Sequence, residues 1–290
     1  MSEQEICGRL QHVLKPSRYQ HTLGVEETAV RLAETYGADA ERARLAGLLH
    51  DCGKEAGDAL GHAAAGAVLA EQEYGITDPE ILSAIRYHTT GKPDMSLLEK
   101  IIFVADYIEP GRSQAPRLSE LRELAFQDLD QTIVEILEDT FAYLNGKQIP
   151  IDERSRQTYQ YYIERKEQRM DESKKMTSIA YQALDEKKAA EITVIDITKV
   201  STIADYFVIT NGENSSHVQA LVENVQEKMY KAGYPCKSVE GFRAANWVLL
   251  DYGDIVVNVF SREDRRFYDL ERIWRDGKLI ENVEEWKEEK

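Results

Sequence analysis

Two hydrophobic rhythms divide the chain. In its first half, apolar side chains recur every three or four positions, the spacing of helices with one buried face. The run RYQHTLGVEETAVRLAETYG sets Leu23, Val30 and Leu32 among small alanines and stops at Gly37, a natural helix C-cap. A second helix is expected over Asp39–Asp51. Asp78-Pro79-Glu80 starts another, with Asp as N-cap and Pro in the first turn, and leads into ILSAIRYH. Ser96-Leu97-Leu98-Glu99 reads as a capping box before KIIFVADYIE. Asp128 to Leu144 brings Ile133, Ile136, Leu137 and Phe141 onto one face. From about Ile151 to Glu172 the chain turns polar outside Tyr159, Tyr161, Tyr162 and Ile163. That segment predicts a last helix running into a linker.

After Lys175 the rhythm changes. EITVIDIT, ADYFVIT, WVLLDYG and DIVVNVFS are short β-branched or aromatic runs bounded by turn residues, as strands are. SSHVQALVENVQEKMYKAG lies among them as an amphipathic helix ending at Gly233, and Tyr252-Gly253-Asp254 reads as a tight hairpin between antiparallel strands. The expectation is a multidomain protein: an all-α domain over 1–172, then an α/β domain over 173–290, with no internal repeat.

Composition narrows the function. The chain has 290 residues, 42% hydrophobic and 30% charged, as in an ordinary globular protein. It contains no run of about 18 apolar residues, so no spanning helix is expected. MSEQEICGRLQ lacks the basic-then-apolar layout of a secretory signal. Cys7, Cys52 and Cys236 are odd in number and scattered, which suits a reducing cytoplasm rather than a disulfide framework. A formal charge of −16 argues against non-specific binding to phosphate backbones. The exception is the local basic cluster Arg262, Arg265 and Arg266, the one stretch expected to reach RNA.

The chemistry centres on LLHDCGK, Leu48 to Lys54. An apolar run leads directly into His50 and Asp51, and burying such groups is costly unless something compensates them. His21, His62, His88 and Asp106 lie on neighbouring helical segments, and four of the six histidines fall between residues 21 and 88. Imidazole and carboxylate together suit a borderline divalent metal such as iron, manganese or zinc, and a bound cation would compensate the burial. A bridging carboxylate would explain why Asp51 adjoins His50. The alternative at this point is a set of separately satisfied core and surface histidines. No HExxH, phosphate-binding P-loop or CxxC is present.

The order H…HD…H…H…D on a helical chain resembles the HD-domain metal-dependent phosphohydrolases. The words RYQHTLGVEETAVRLAETYGAD, AGLLHDCGK, ILSAIRYHTTGKPDMSLLEKIIFVADYIEPGR and LRELAFQDLD resemble the YqeK family within it, over about residues 8–165. The resemblance implies a helical bundle that hydrolyses diadenosine tetraphosphate symmetrically to two ADP at a pair of divalent metal ions, iron first, with manganese or another transition metal as alternatives. It implies that His21, His50, Asp51 and Asp106 hold one metal. Asp51 would bridge to a second, held by His62 and His88. Lys54 and Arg86 would neutralise the polyphosphate, Thr89, Thr90 and Gly91 would form a phosphate-side loop, and Arg112 would touch the substrate. One departure stands out: only EAGDALG separates Lys54 from His62, shorter than in the family. Metal binding is expected to survive this and substrate selectivity to change. The alternatives are therefore a different nucleotide substrate, or a non-catalytic HD scaffold that tethers the second half.

KAAEITVIDIT, STIADYFVIT, SSHVQALVENV, VEGF, WVLLDYGDIVVNVF and RRFYDLERIW, from about Thr177 to Gly277, resemble the ribosomal silencing factor family (RsfS, or Iojap). This implies a mixed sheet with helices on both sides, akin to nucleotidyltransferases. It also implies binding to a large-subunit ribosomal protein that blocks subunit joining. The paired carboxylates of a nucleotidyltransferase are absent, so this half is expected to bind rather than catalyse. The expected contact surface is the sheet face around Trp247, Tyr252, Asp254 and Asn258, the last standing where the family word V-H-V-F has His. Self-association through the sheet edge is the expected route to a homodimer.

Overall fold

Short polar side chains start most helices of the N-terminal half by accepting hydrogen bonds from the free N–H groups of the first turn. The computed structural model describes residues 1–55, 61–283 and 286, in two units, Met1–Lys166 and Glu167–Lys290. The first unit contains α1 (Glu3–Val13), α2 (Pro16–Tyr36), α3 (Ala40–Leu49), α4 (Gly61–Gln72), α5 (Pro79–Tyr87), α6 (Leu97–Ile108), α7 (Leu118–Leu124) and α8 (Leu129–Gly146). Asp39, Asp78 and Asp128 cap α3, α5 and α8, and Ser96 with Glu99 forms the capping box of α6. Gly37 ends α2 in the left-handed conformation, at φ 70°.

α6 is the hub. Leu98, Ile101, Ile102, Phe103, Val104, Ala105 and Ile108 are all buried, so it is apolar nearly all round, as a central helix must be. It packs against α2, α3, α5 and α8. α3 lies close along α2 because Gly47 has no Cβ; one there would stand 2.9 Å from the Glu26 Cα.

The last helix expected from about residue 151 is present, but the linker it was expected to run into is not seen. One helix, α9 (Glu153–Glu186), runs through it, and the division expected at 172/173 falls inside that helix. Its apolar positions explain the difference. Tyr162 is buried in the first core, whereas Met176, Ala180, Ala183 and Leu184 are buried in the second, so both ends of a polar segment are anchored.

The second unit is a six-stranded mixed sheet of order β3-β4-β5-β2-β1-β6. Its elements are β1 (Ala190–Asp196), β2 (Tyr206–Gly212), α10 (Ser215–Lys231), β3 (Ser238–Glu240), β4 (Trp247–Asp251), β5 (Ile255–Ser261), α11 (Arg262–Tyr268), α12 (Leu270–Ile273) and β6 (Lys278–Ile280). β2 and β5 are parallel and the other pairs antiparallel. The expected hairpin at Tyr252-Gly253-Asp254 joins β4 to β5, with Gly253 at φ 90°. Alternation along the strands sorts two cores. Val248, Leu250, Val257 and Val259 face α10 and the end of α9, while Phe207, Ile209, Val256 and Phe260 pack with Leu270 and Trp274 on the other face. Among the described residues no helix is long and apolar enough to cross a membrane. Both sheet edges, β3 and β6, are three residues long, which leaves little backbone for the edge pairing expected of a homodimer.

Candidate metal centre

Leu48 and Leu49 are fully buried and pin the end of α3 in the first core. The helix stops there, and the turn that follows delivers His50 and Asp51 inward, 0% and 2% exposed. The turn is held against α4 by two glycines. A Cβ on Gly53 would lie 2.4 Å from the Gly66 N and 2.5 Å from the His62 carbonyl oxygen, and Cys52 Sγ donates to the Gly66 carbonyl at 3.2 Å. This contact brings His62 to Asp51, although residues 56–60 of the shortened segment lie outside the described residues. α2 contributes His21, the end of α5 His88 and α6 Asp106.

Two sets of ligand-type atoms lie within 4.8 Å of one another, His21/His50/Asp51 and Asp51/His62/His88, and Asp51 belongs to both. His62 Nε2 is 3.2 Å from Asp51 Oδ1 and 3.2 Å from His88 Nε2, and His88 Nε2 is 3.6 Å from Asp51 Oδ1. On the other side, Asp106 Oδ1 is 3.0 Å from His21 Nε2 and 3.9 Å from His50 Nε2.

The rings are oriented from behind. Nδ1 of His50 donates to the Gly47 carbonyl and Nδ1 of His88 to the Ile85 carbonyl, both at 2.7 Å. Nδ1 of His21 donates to Glu109 Oε1 at 3.1 Å. A neutral imidazole that donates from Nδ1 presents a lone pair at Nε2, the form a metal takes. The Nε2 atoms of His21 and His50 and Oδ1 of Asp51 are buried and have no hydrogen-bond partner. Lone pairs facing lone pairs in a buried space repel unless a cation lies among them, so the donor set fits a divalent metal.

The electrostatics agree. Burial pushes His50 down to about 4, against the pull of Asp51 and Asp106. Burial alone would raise Asp51, yet His62 and His88 beside it hold its carboxyl far below the usual range. Asp106 is likewise depressed, with His21 overcoming the cost of burial. His21 moves upward: burial lowers it, but Asp106 and Glu109 more than offset that, so this position favours positive charge.

The other expected residues divide. Lys54 Nζ donates to His62 Nε2 at 3.2 Å and stands 3.7 Å from Asp51 Oδ1. Arg112 Nη2 donates to the Asp106 carbonyl at 2.8 Å, and Arg112 lines two cavities, one with His21 and one with His88 and Asp106. Thr89 lines one of them. Thr90 and Gly91 do not face the centre as a phosphate loop. Thr90 is buried with its carbonyl accepting from Thr158 Oγ1 of α9, and a Cβ on Gly91 would meet Thr158 Cγ2 at 2.7 Å. Arg86 is exposed on α5 and lines neither cavity, because two positions along a helix turn its side chain about 200° away from His88.

Two further residues touch the cluster. Arg18 Nη1 donates to Asp51 Oδ2 at 2.9 Å, and Glu109 orients His21. Each lies three residues from a candidate ligand, Arg18 from His21 within α2 and Glu109, the C-cap of α6, from Asp106. That spacing was a signal available in the sequence.

In the second unit the four expected contact residues are not one patch. Tyr252 is buried on the α10 side, opposite Trp247. Asn258 is 1% exposed, and its Oδ1 accepts from Trp247 Nε1 at 3.0 Å, so it supports the tryptophan rather than facing outward. Asp254 is half-buried, and its carbonyl accepts from Asp205 N at 2.7 Å. Trp247 itself is half-buried, stacked on Phe260 with ring centroids 5.0 Å apart and 4.7 Å from Tyr268. Beside it Phe267 is 78% exposed. Of the basic cluster, Arg265 is spent internally: it donates to the carbonyls of Ala190 and Glu191 and pairs with Glu271 at 2.7 Å. Arg262 and Arg266 remain exposed.

A profile of the HD domain matches residues 18–111, and a profile described as ribosomal silencing factor during starvation matches residues 170–290. The symmetrical bis(5'-nucleosyl)-tetraphosphatase of Bacillus subtilis is 38% identical over 184 residues, covering 56% of this chain and 98% of that protein. The ribosomal silencing factor RsfS of the same organism is 39% identical over 108 residues, 37% of this chain and 92% of that protein. A crystal structure from Clostridium acetobutylicum, described as a predicted HD superfamily hydrolase involved in NAD metabolism, superposes with a TM-score of 0.53 at 38% identity, over 57% of this chain and 98% of its own. The chain thus belongs to two families in tandem, the HD-domain symmetrical bis(5'-nucleosyl)-tetraphosphatases in its N-terminal half and the ribosomal silencing factors in its C-terminal half.

Proposed function

We propose that residues 1–172 hydrolyse diadenosine tetraphosphate to two ADP in a metal-dependent reaction, and that residues 173–290 bind the large ribosomal subunit and block subunit joining, both in the cytoplasm. The observation that carries the hydrolase is the pair of ligand sets sharing one buried carboxylate. His21, His50, Asp51 and Asp106 would hold one divalent cation, and Asp51, His62 and His88 the other, iron first and manganese second. Two such ions supply Lewis acidity and a bound water of lowered pKa. The protein's own groups do the rest. Glu109, Gly47 and Ile85 hold three imidazoles in the tautomer that leaves Nε2 free. Lys54, Arg18 and Arg112 bring positive charge to the rim of a chain whose formal charge of −16 would otherwise repel a polyphosphate. The test is product chromatography after incubating the iron- or manganese-loaded protein with diadenosine tetraphosphate, beside Asp51→Ala. ADP alone, and a dead variant, support the reading. Two bound metals without turnover would transfer it to another nucleotide or to a scaffold.

For the second half, the family membership carries the reading and the aromatic group of Trp247, Tyr268 and exposed Phe267 offers the anchor. Sedimentation with purified large subunits should show co-pelleting that Phe267→Ala weakens. Pelleting unaffected by that change would place the contact elsewhere on the sheet.

A further inference from the structure

The chain leaves α6 through a short turn, Ile108 to Arg112, and two side chains of that turn reach the metal centre. Glu109 Oε1 accepts from His21 Nδ1 at 3.1 Å, and Arg112 Nη2 donates to the Asp106 carbonyl at 2.8 Å. His21 and Asp106 are candidate ligands of the first cation, 3.0 Å apart, whereas the second cation would rest on His62 and His88. The Glu109 carboxylate is 3% exposed and closely seated. Gly111 N donates to its Oε2 at 2.5 Å, and a Cβ on Gly24 would stand 2.6 Å from the same oxygen. A carboxylate with so little room follows its own backbone, so whatever fixes the backbone of this turn fixes the His21 ring.

The last carbonyls of a helix have no partner within it and need donors from outside. Arg122 of α7 supplies them. Its Nε donates to the Ile108 carbonyl at 2.8 Å, and its Nη2 to the carbonyls of Glu109 at 2.8 Å and Arg112 at 2.9 Å. One guanidinium thus ties both ends of the turn, and its charge lies at the negative end of the α6 dipole. Arg122 is itself held in place. Leu121 and Ala125 on either side of it are fully buried in the first core, and the Ala125 carbonyl accepts from Tyr36 Oη at 2.9 Å. Only a planar fork of donors spans several carbonyls at once; a lysine ammonium keeps the charge and loses the fork.

Resting on the metal-dependent hydrolase reading above, we propose that Arg122 is a positioning residue for the first cation site: it clamps the turn after α6 and so sets Glu109 against His21 and Arg112 against Asp106. It touches none of the candidate ligands' side chains and acts only through the two residues it holds. The two cation sites therefore depend on it unequally, because His62 on α4 and His88 at the end of α5 lie outside the clamped turn.

The test is manganese binding to the full chain, by equilibrium dialysis with metal analysis, for wild type, Arg122→Lys, Glu109→Gln and the double variant. Wild type is expected to take two ions. Arg122→Lys should weaken one of them about ten- to a hundredfold, the usual effect of disturbing the group behind a ligand, and leave the other unchanged. In the double variant the loss should be smaller than the product of the two single losses, because both changes act on the same ring. A merely structural arginine would weaken both ions alike, and its loss would multiply with that of Glu109→Gln. Either result overturns the proposal, as does unchanged binding of both ions. Arg122→Gln gives the same reading by a second route if the lysine variant does not fold. Leu118→Ala, a truncation in the same helix that keeps the clamp, should lower the melting temperature and leave both affinities as they were; loss of one ion there would assign the effect to the packing of α7 and overturn the proposal too. Two ions in wild type without the selective loss sink this inference alone, whereas no bound ion in wild type sinks the hydrolase reading with it.

Discussion

Asp51 is the residue on which both ligand sets depend, and its neighbours act only through what they hold in place. Glu109 has that role for His21. Glu109→Gln keeps the shape but loses the charge, and is expected to weaken metal binding about ten- to a hundredfold, the usual effect of removing such a supporting carboxylate. Metal titration of the apo protein against a competing chelator measures it. Unchanged affinity would show that the ring is fixed without Glu109. Cys52, next to Asp51, is buried, and burial pushes its thiol up to about 12. The thiolate is the reactive form, so the native protein should resist iodoacetamide at Cys52 at pH 8 and react after denaturation, as peptide mapping would show. At this scale the candidate ligands His21, His50, Asp51, His88 and Asp106 were legible because each is a distinctive side chain within a family word. Arg86 lies two positions before His88 along α5, about 200° round the helix, and Thr90 and Gly91 lie in the turn after α5 against Thr158, so closeness in sequence to His88 did not bring these three into the two cavities beside the centre.

Among the elements, the Gly53–Gly66 contact between the His50–Glu55 turn and α4 is the tightest constraint on the site. Gly53→Ala forces a Cβ onto backbone and cannot be relieved by a side-chain movement. It should destabilise the protein by about 1–3 kcal/mol and displace His62, so the bound metal count falls from two toward one. A thermal melt with metal analysis tests both. Full stability and full loading would mean that α4 moves away at no cost. In the second unit, Ser173 on α9 donates to Asp205 Oδ2 at 2.5 Å. Burial raises the Asp205 carboxyl despite that bond and Arg169. A raised folded value means that the native state binds the proton more tightly than the unfolded chain does. The contribution of this one group to stability is therefore fully present below the unfolded value of about 3.9 and is lost as pH rises through the folded value. Asp205→Asn should flatten that part of the melting-temperature profile; an identical profile would assign the dependence to other groups. The continuity of α9 was hidden because its middle is polar and only its two ends reach a core.

Over the whole molecule, the two units have separate cores and separate family memberships. Their activities should be separable. Asp51→Ala is expected to abolish hydrolysis yet still co-sediment with large subunits, and Phe267→Ala to do the reverse. Loss of both functions in either variant would show coupling. Chelation should lower the melting temperature of the N-terminal unit only, since metal binding energy adds to the stability of the unit that holds it.

The sequence alone determined that a helical half precedes an α/β half, the change of period near residue 175, the helix starts at Asp39, Asp78 and Ser96, and the six candidate ligands. These are local properties: a cap is read within four residues and a period within ten. Only the tertiary structure decided what those pieces do together. It brought side chains from α2, α4, α5 and α6 to the turn after α3, set β5 between β4 and β2, and put Trp247 and Tyr252 on opposite faces of one sheet. It also placed Thr89, but not Thr90, in the lining of a cavity beside the centre. None of this is encoded in spacing, because contacts between segments far apart in the chain are set by which buried faces fit one another.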